Sequence, residues 1–548
     1  MLRETEPLLR RNTRTPKRVR RRLGFAALFL CVLLLTAHTL APQHFPWPRP
    51  RLPGRRHPHK RNMIFFVTDG MGPASLSLTR SFRQLTQNLP HNDTLWLDRH
   101  LVGSSRTRSS DSLITDSAAG ATAFSCARKS YNGAIGVVPV DGSSGGSGSS
   151  GKAACGTVLE AAHLAGYLTG LVVTTRITDA TPGAFSAHAD YRVQEDLIAE
   201  QQLGGYAPEV GRAVDLMVGG GSLHFRPHGR GDKRDLLEEA RHSGWQVVDD
   251  MRGFESLQGG SNVSLPLLAL LAEGDIPFDI DRDPAEYPSL ESQAMTAVRA
   301  LEEATRDSDQ GFFLLVEGSR IDHAGHQNDP AAQVREVLAF DAAFHAAMEW
   351  AEASDVETVL VSTSDHETGG LVTARQVTPE YPEYVWYPEV LAASSHSGEY
   401  VKGKIASFGG SHSEKVHYIK HEIMRGTLNI TDYTDKEIEL IAGERDANKV
   451  QDIINTMIST RAQVGWTTHG HSAVDVNIYA YANRRPTWHA LLDRLQGNHE
   501  NTEIGAYMAH YLGLDLDAVS KKLENVTHAP HMGRGKEQTV DAYGHALW

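Results

Sequence analysis

Short apolar runs alternate along the chain with stretches in which apolar residues recur at helical spacing. Five of these runs are rich in β-branched and aromatic residues and end in polar residues or glycine: 63–68, 170–175, 215–221, 312–317 and 358–363. Runs of this length without polar alternation are typical of parallel strands that are buried on both faces. Helical spacing is clearest after Pro330, where apolar residues fall at positions 337, 340, 344, 347 and 351.

Strands of this kind, separated by helices, predict an α/β fold: a three-layer sandwich around a largely parallel central sheet. The rhythm is lost at about 371–465, which predicts an inserted surface subdomain. The glycine- and serine-rich run at 142–151 predicts a surface loop. We expect the following order: a stalk at 41–61, a main domain at 62–500 that contains the insertion, and a C-terminal extension at 501–548.

Residues 23–40 form an 18-residue stretch without a charged side chain. At about 1.5 Å per residue, a helix of this length nearly spans a hydrocarbon layer of about 30 Å. A cleaved signal peptide is the alternative, because Ala37 and Thr39 fit a small-x-small cleavage site. The basic leader at 1–22 is long for a signal peptide, so we favour a single transmembrane helix that is retained as an anchor.

The flanks of this stretch bear on its orientation. Nine basic residues precede it and six follow it closely, so the positive-inside bias is modest. Four Asn-x-Ser/Thr sequons all lie beyond it, at Asn92, Asn262, Asn429 and Asn525. They favour a type II protein with a basic cytosolic tail at 1–22 and a glycosylated lumenal body. Glu4, Leu8 and Leu9 match the acidic dileucine pattern that cytosolic sorting adaptors bind, which indicates a vacuolar or endolysosomal membrane.

Charge and cysteine content narrow the class further. The 548 residues contain 54 Lys and Arg against 67 Asp and Glu, a net charge of −13. The tail carries +7, so the rest of the chain carries −20, which argues against nucleic acid as a partner. Of the 3 cysteines, Cys31 lies in the predicted anchor, which leaves Cys126 and Cys155 in an oxidising compartment. They are able to pair, but two cysteines do not establish a disulfide.

Carboxylates and imidazoles follow the predicted strands. Asp69 follows the first run, Glu317 ends the fourth and is followed by Asp322 and His326, and Asp365 and His366 follow the fifth; a later segment contains His469 and His471. In open α/β sheets, ligands bind beyond the carboxyl ends of the strands. Capping and turn roles explain any one of these residues, but together they are the ligand types of Zn²⁺, and an all-oxygen subset suits Mg²⁺.

Ser117 precedes a run of small residues that suits the start of a helix. Its hydroxyl would then lie at the positive end of that helix. A serine in this position is ordinarily a capping residue. Beside a cluster of metal ligands it becomes a candidate nucleophile.

These residues together resemble the alkaline phosphatase family. The resemblance rests on Asp69-Gly-Met-Gly, Asp116-Ser117-Ala-Ala, Asp179-Ala-Thr181-Pro, Glu317-Gly-x-x-Ile-Asp322-x-x-x-His326 and Asp365-His366-Glu-x-Gly-Gly, which occur in the family's order and extend to His471. The anchor and the dileucine pattern make the chain most similar to the vacuolar members of that family from fungi. The family implies a homodimer that hydrolyses small phosphate monoesters, with phosphoproteins as further candidate substrates.

The resemblance also implies a role for each matched residue. Ser117 would be the nucleophile that becomes phosphoserine, and Arg192 would bind two phosphate oxygens. Asp322, His326 and His471 would hold one Zn²⁺, and Asp69, Asp365 and His366 would hold the other. Asp69, Thr181 and Glu317 would hold one Mg²⁺, with Asp179 in its shell. His471 is preferred to His469 because its spacing to Asp475 matches the family. Asp179 resembles bacterial members, whereas His323 resembles animal ones.

Two other functions fit a scaffold of this kind. A sulfatase or phosphodiesterase of the same superfamily would use similar metals, but the sulfatase pattern has proline and arginine after the nucleophile, and Ser117 is followed by small residues. A catalytically inactive, membrane-tethered glycoprotein would keep the metals for stability. Such relatives usually lose the nucleophile or a ligand, and here every matched position is filled.

Overall fold

The computed structural model describes residues 60–140 and 151–526. The predicted cytosolic tail, the anchor, nearly all of the stalk and of the glycine- and serine-rich loop, and the end of the C-terminal extension lie outside these residues. Within them, no helix is both long and apolar enough to span a bilayer. The division of the chain into domains stays a prediction.

Fourteen strands are present in the described part of the chain. They are β1 Arg61–Val67, β2 Leu101–Arg106, β3 Val137–Pro139, β4 Lys152–Ala154, β5 Leu168–Arg176, β6 Leu216–Gly220, β7 Gln246–Val248, β8 Leu267–Leu270, β9 Phe312–Glu317, β10 Glu357–Thr363, β11 Glu367–Thr368, β12 His471–Ser472, β13 Val476–Ala482 and β14 Gly497–Glu500. The five predicted runs correspond to β1, β5, β6, β9 and β10.

The helices of the described residues connect these strands. The α-helices are Pro73–Thr86, Trp96–Arg99, Ser117–Cys126, Val158–Leu164, Ala180–Ser186, Glu195–Gln202, Leu236–His242, Met251–Ser256, Leu290–Ala304, Arg320–His326, Pro330–Ala353, Pro388–Ala393, Gly398–Ala406, His412–Tyr418, Asp435–Gly443, Ala447–Ala462, Arg485–Leu495, Asn501–Leu512 and Leu516–Lys522. Two short 3₁₀ turns span Ser222–Phe225 and Gln258–Gly260, and a π-helix spans Ile419–Thr427.

Ten strands form one sheet in the order β14-β2-β13-β10-β1-β9-β5-β6-β8-β7. Its β13 is antiparallel to both of its neighbours, and the other nine strands run in one direction. The prediction of an α/β fold with a largely parallel central sheet is therefore confirmed.

Both faces of the sheet are covered by apolar side chains. Along β1, Phe65 and Val67 pack into one core, whereas Ile64 and Phe66 pack into another. Because successive side chains of a strand point to opposite faces, these two cores are the two layers between sheet and helices. The helix Pro330–Ala353 belongs to the second core and buries all five apolar positions predicted for it.

A third core lies mostly within residues 371–464. Isoleucine, leucine and methionine side chains of its helices pack together and against Leu78, Phe82 and Val334 of the main fold. The strand pattern is lost here because all six of the named elements in this segment are helices.

Two features attach to the helix Ser117–Cys126. Cys126, its last residue, forms a disulfide with Cys155, so the pairing that the sequence left open does occur. The helix Asn501–Leu512 lies directly against it, and a Cβ atom on Gly505 would come within 2.3 Å of the carbonyl oxygen of Phe124.

The four sequon asparagines are all exposed.

Candidate functional site

The predicted site residues meet at one edge of the central sheet. The strands β5, β9, β1 and β10 are consecutive neighbours and parallel, so their carboxyl ends lie side by side. Asp69 follows β1, Glu317 ends β9, Asp365 follows β10, and Asp179 follows β5. The ends of β1 and β10 are 296 residues apart along the chain, yet the polar side chains that follow these strands lie close together.

Asp69, Asp365 and His366 form the first cluster, in which the candidate ligand atoms lie within 4.8 Å of one another. His366 Nε2 is 3.1 Å from Asp365 Oδ2 and 3.5 Å from Asp69 Oδ1. All three residues are buried. The structure therefore brings together the three residues that the resemblance assigned to one Zn²⁺.

Asp322, His326 and His471 form the second cluster, at the same spacing. Asp322 Oδ2 is 3.3 Å from His326 Nε2, and its Oδ1 is 3.7 Å from His471 Nε2. The outward ring nitrogens are held by backbone: His471 Nδ1 is 2.8 Å from the carbonyl oxygen of Thr115, and His326 Nδ1 contacts that of His469. These contacts leave Nε2 of both rings directed into the cluster, as metal-binding histidines require.

His471 rather than His469 belongs to this cluster. His469 turns its Nδ1 to the carbonyl oxygen of His326, at 2.7 Å, and so contributes to holding that residue. The structure thus places His471, and not His469, in the group with Asp322 and His326.

Ser117 lies beside the first cluster, at the first turn of the helix Ser117–Cys126. Its Oγ is 3.1 Å from His366 Nε2. Asp116 caps the helix by accepting from the backbone N–H of Ala119 at 2.9 Å, and it also accepts from that of Gly133 at 2.8 Å. The predicted helix start is confirmed, and the hydroxyl lies at its positive end.

Arg192 also lies beside Ser117. Its Nη1 is 3.4 Å from Ser117 Oγ, and its Nη2 donates to Asp179 Oδ1 at 2.9 Å. Burial lowers its pKa, but the carboxylates of Asp179 and Asp116 outweigh burial and raise it, so the guanidinium stays charged. A planar charged fork next to a serine hydroxyl is suited to binding an oxyanion.

Thr181, Glu317 and Asp69 supply oxygen atoms that suit a hard cation. Thr181 Oγ1, Glu317 Oε1 and Asp69 Oδ1 are buried and make no hydrogen bond of ordinary length and angle among the described residues. Ser319 Oγ donates to the other oxygen of Glu317, at 2.6 Å. Buried oxygens left in this way fit a Mg²⁺ site.

Asp179 is placed differently from these three residues. Its Oδ1 accepts from Arg192, and its Oδ2 accepts from Arg176 Nη2 at 3.1 Å. Burial raises its pKa, but the two guanidinium groups outweigh burial and hold it below the ordinary range. Asp179 is an ion-pair partner in the structure, and its assignment to the magnesium shell stays a prediction.

The concentration of carboxylates sets the electrostatics of the site. Burial, reinforced by the charges of Asp365 and Asp322, raises the pKa of Asp69 well above its usual range. Burial likewise raises the pKa of Glu317 to about 8. Burial removes the hydration of the charged carboxylates, and their like charges repel one another. Bound cations would offset both of these unfavourable effects.

The supporting roles of several residues at the site were not predicted. Thr368 links the two clusters: His366 Nδ1 is 3.1 Å from Thr368 Oγ1, which donates to Asp322 Oδ1 at 2.5 Å. Asp116 and Arg176 are the others. A capping pattern identifies Asp116 because it directly precedes Ser117, whereas nothing local to the sequence shows which partners Thr368 and Arg176 reach.

The fold and the site together define an α/β protein with a serine beside two clusters of candidate metal ligands. The family model for alkaline phosphatase matches residues 60–514. The repressible alkaline phosphatase of Saccharomyces cerevisiae is 59% identical over 512 residues, which are 89% of this chain and 88% of that protein. This chain belongs to the alkaline phosphatase family of phosphoric monoester hydrolases.

Solved structures agree with this assignment. The alkaline phosphatase of Thermus thermophilus is 27% identical, with a TM-score of 0.68 over 83% of this chain and 92% of that one. A variant of the alkaline phosphatase from the Antarctic bacterium TAB5, solved with Mg bound in its M3 site, is 25% identical. Its TM-score is 0.53 over 83% of this chain and 98% of that one.

Proposed function

We propose that this chain hydrolyses phosphate monoesters through a phosphoserine formed at Ser117, with two Zn²⁺ and one Mg²⁺ as cofactors. The observation that carries the proposal is the position of one hydroxyl. Ser117 Oγ lies 3.1 Å from His366 Nε2 of the first cluster and 3.4 Å from Arg192 Nη1. The Ser117 hydroxyl thus lies within hydrogen-bond distance of both a candidate metal-ligand cluster and a guanidinium.

The residues of each cluster fit the ions assigned to them. Two three-residue sets of carboxylate and imidazole would hold Zn²⁺: Asp69, Asp365 and His366, and Asp322, His326 and His471. The oxygens of Asp69, Thr181 and Glu317 would hold Mg²⁺. When bound, the ions supply positive charge that neutralises the attacking and leaving oxygens.

The chain's own residues account for binding and orientation. Arg192 would bind two phosphate oxygens in bidentate fashion, while its Nη2 also donates to Asp179 Oδ1. Ser117 would lose its proton as Oγ attacks phosphorus, the ester P–O bond would break, and the leaving alkoxide would take up a proton and depart as the alcohol. Water would then attack the phosphoserine, releasing phosphate and restoring the hydroxyl. Because little covalent assistance is available for phosphoryl transfer, fixed position and charge carry most of the catalysis.

We propose further that the chain is a type II glycoprotein of a vacuolar or endolysosomal membrane, with its catalytic domain in the lumen. The uncharged stretch at 23–40, the four sequons and the dileucine pattern support this location. A sorting adaptor would bind Glu4, Leu8 and Leu9 from the cytosol. By its family the chain would form a homodimer, with small phosphate monoesters as substrates and phosphoproteins as further candidates.

The phosphoserine is tested by acid-quenching the full-length protein during turnover of a ³²P-labelled phosphate monoester. Label is expected on the peptide that contains Ser117. Treatment with a chelator beforehand should abolish both turnover and labelling, and adding Zn²⁺ and Mg²⁺ back should restore them. Label on another peptide, or turnover that survives complete removal of the metals, would contradict the proposal.

A further inference from the structure

A row of ion pairs extends from Arg192 away from Ser117. Arg192 Nη2 pairs with Asp179 Oδ1 at 2.9 Å, and Asp179 Oδ2 pairs with Arg176 Nη2 at 3.1 Å. The side chains of all three residues are at most 16% exposed. In this low-dielectric setting, charge-assisted hydrogen bonds fix orientation far more firmly than exposed pairs do.

Arg176 is the centre of this arrangement. Besides Asp179, its guanidinium binds Glu195 Oε2 through Nε at 2.9 Å and Asp275 Oδ1 through Nη1 at 2.8 Å. One planar group thus holds three carboxylates from three separate segments of the chain. Only a guanidinium has enough donors, in a rigid enough fork, to do this.

The next layer is also charged. Arg320 Nε donates to His323 Nδ1 at 3.3 Å, and Asp275 Oδ2 lies 3.6 Å from the same nitrogen. Arg320 in turn pairs with Glu399 Oε2 at 2.9 Å, on the helix Gly398–Ala406 of the third core. Asp275, one of the partners of Arg176, is therefore itself part of a further network of charged and polar contacts.

We propose that Arg176 is a positioning residue for phosphate binding, acting through Asp179 on Arg192. This inference rests on the proposed function. Without Arg176, Asp179 would lose the partner of one oxygen, and Glu195 and Asp275 would lose the guanidinium that offsets their repulsion of Asp179. The carboxylate that orients the Arg192 fork would then shift, and phosphate would meet a misplaced guanidinium. Arg176 itself contacts neither Ser117 nor the clusters through any described hydrogen bond or ion pair.

A purely structural role makes a different prediction. If Arg176 only stabilises the fold, its loss would lower the melting temperature and leave each folded molecule with normal kinetics. A positioning role would instead weaken the binding of inorganic phosphate and raise the KM for a monoester, with a smaller effect on kcat. The two roles are separated by kinetics corrected for the folded fraction.

The experiment compares full-length Arg176→Met and Arg176→Lys with the wild type, using inorganic phosphate as a competitive inhibitor. Arg176→Met should raise the inhibition constant of phosphate about tenfold, equivalent to about 1.4 kcal/mol, with unchanged zinc content. Arg176→Lys keeps the charge but not the fork, so it should fold and show a smaller loss in the same direction. Arg212→Met is the matched control. Arg212 pairs with Asp215, which is likewise three residues later in the chain. This pair directly precedes the amino end of β6, whereas the site lies at the carboxyl ends of the strands, so phosphate inhibition should not change.

A double-mutant cycle with Arg192→Ala completes the test. If Arg176 acts through Arg192, Arg176→Met should change phosphate inhibition less than about twofold in the Arg192→Ala background. The inference is overturned if inorganic phosphate inhibits the Arg176 variants as strongly as the wild type. It is also overturned if Arg176→Met raises the inhibition constant by the same factor with and without Arg192→Ala. A wild-type protein that neither binds phosphate nor hydrolyses monoesters overturns the proposed function, and this inference with it.

Discussion

The imidazole rings of His366 and His471 stack face to face, with centroids 3.5 Å apart and planes at 17°. Each ring belongs to a different ligand cluster, so this contact joins the two clusters directly. Burial lowers the pKa of His471 well below its usual range, and the charge of His366 adds to this effect. For His366, burial also lowers the pKa, but Asp365 outweighs burial and raises it. The two adjacent rings, one from each cluster, therefore have opposite pKa shifts.

Replacing the hydroxyl of Ser117 should separate binding from turnover. Ser117→Ala leaves both clusters and Arg192 in place, so phosphate should still bind while kcat falls by about 10³-fold or more. Steady-state kinetics and phosphate inhibition measure the two effects. Ser125→Ala on the same helix, whose buried hydroxyl donates to the carbonyl of Thr122, is the control and should keep wild-type kcat. Near-normal turnover of Ser117→Ala would show that another nucleophile acts.

Exchanging Asp179 for histidine should alter magnesium dependence and spare zinc. An imidazole disfavours a hard oxygen-bound cation, whereas neither zinc cluster includes Asp179. Asp179→His is therefore expected to shift the Mg²⁺ concentration that gives half-maximal activity, while elemental analysis finds two zincs. Asp365→Asn serves as the contrasting variant and should lose zinc. Loss of both zincs from Asp179→His would show that the assignment is wrong.

Replacing the buried Glu336 should stabilise the protein more at high pH than at low pH. Burial, with the nearby charges of Asp279 and Asp281, raises its pKa to about 7. The folded state therefore binds a proton that the unfolded state releases, and this contribution to stability falls as the pH rises from about 4.5 to about 7. Glu336→Gln should thus be more stable than wild type by roughly 1–3 kcal/mol at pH 8, and by much less at pH 5.

Denaturant unfolding at the two pH values measures this difference. Glutamine at position 336 still accepts the hydrogen bond that Glu336 Oε1 receives from the backbone of Asp279. Glu352→Gln, an exposed position on the same helix, should show no such pH difference. Equal stability changes at pH 5 and pH 8 would contradict the raised pKa.

The orientation in the membrane gives a fourth prediction. If the body is lumenal, an endoglycosidase should increase the gel mobility of the expressed protein, because the four sequon asparagines are exposed. Protease added to sealed vesicles should remove only the tail at 1–22. Asn92→Gln should increase mobility by one glycan. Digestion of the body with protection of the tail would reverse the topology.

Five of the strands and the candidate ligands at their ends were predictable from local patterns, whereas the division of these ligands into two sets came from the family resemblance. An apolar run followed by Asp69 or Asp365 marks a strand and its carboxyl end, and parallel strands gather such ends at one edge. The partners of Arg176 were not predictable. Glu195 and Asp275 lie 19 and 99 residues further along the chain, and neither belongs to a motif. Their contact depends on how loops pack, which no local pattern encodes.

The pairing of β2 with β14 has a consequence for biosynthesis. Ser104 and Asn498 are register partners, although 394 residues separate them. His471, the last of the cluster residues, also comes late in the chain. A nascent polypeptide that has emerged only as far as residue 470 has neither a complete second cluster nor its outermost strand. Translation adds about 5–20 residues per second, so the site stays incomplete until synthesis is nearly finished. We therefore expect no phosphatase activity from any ribosome-bound fragment that stops before His471.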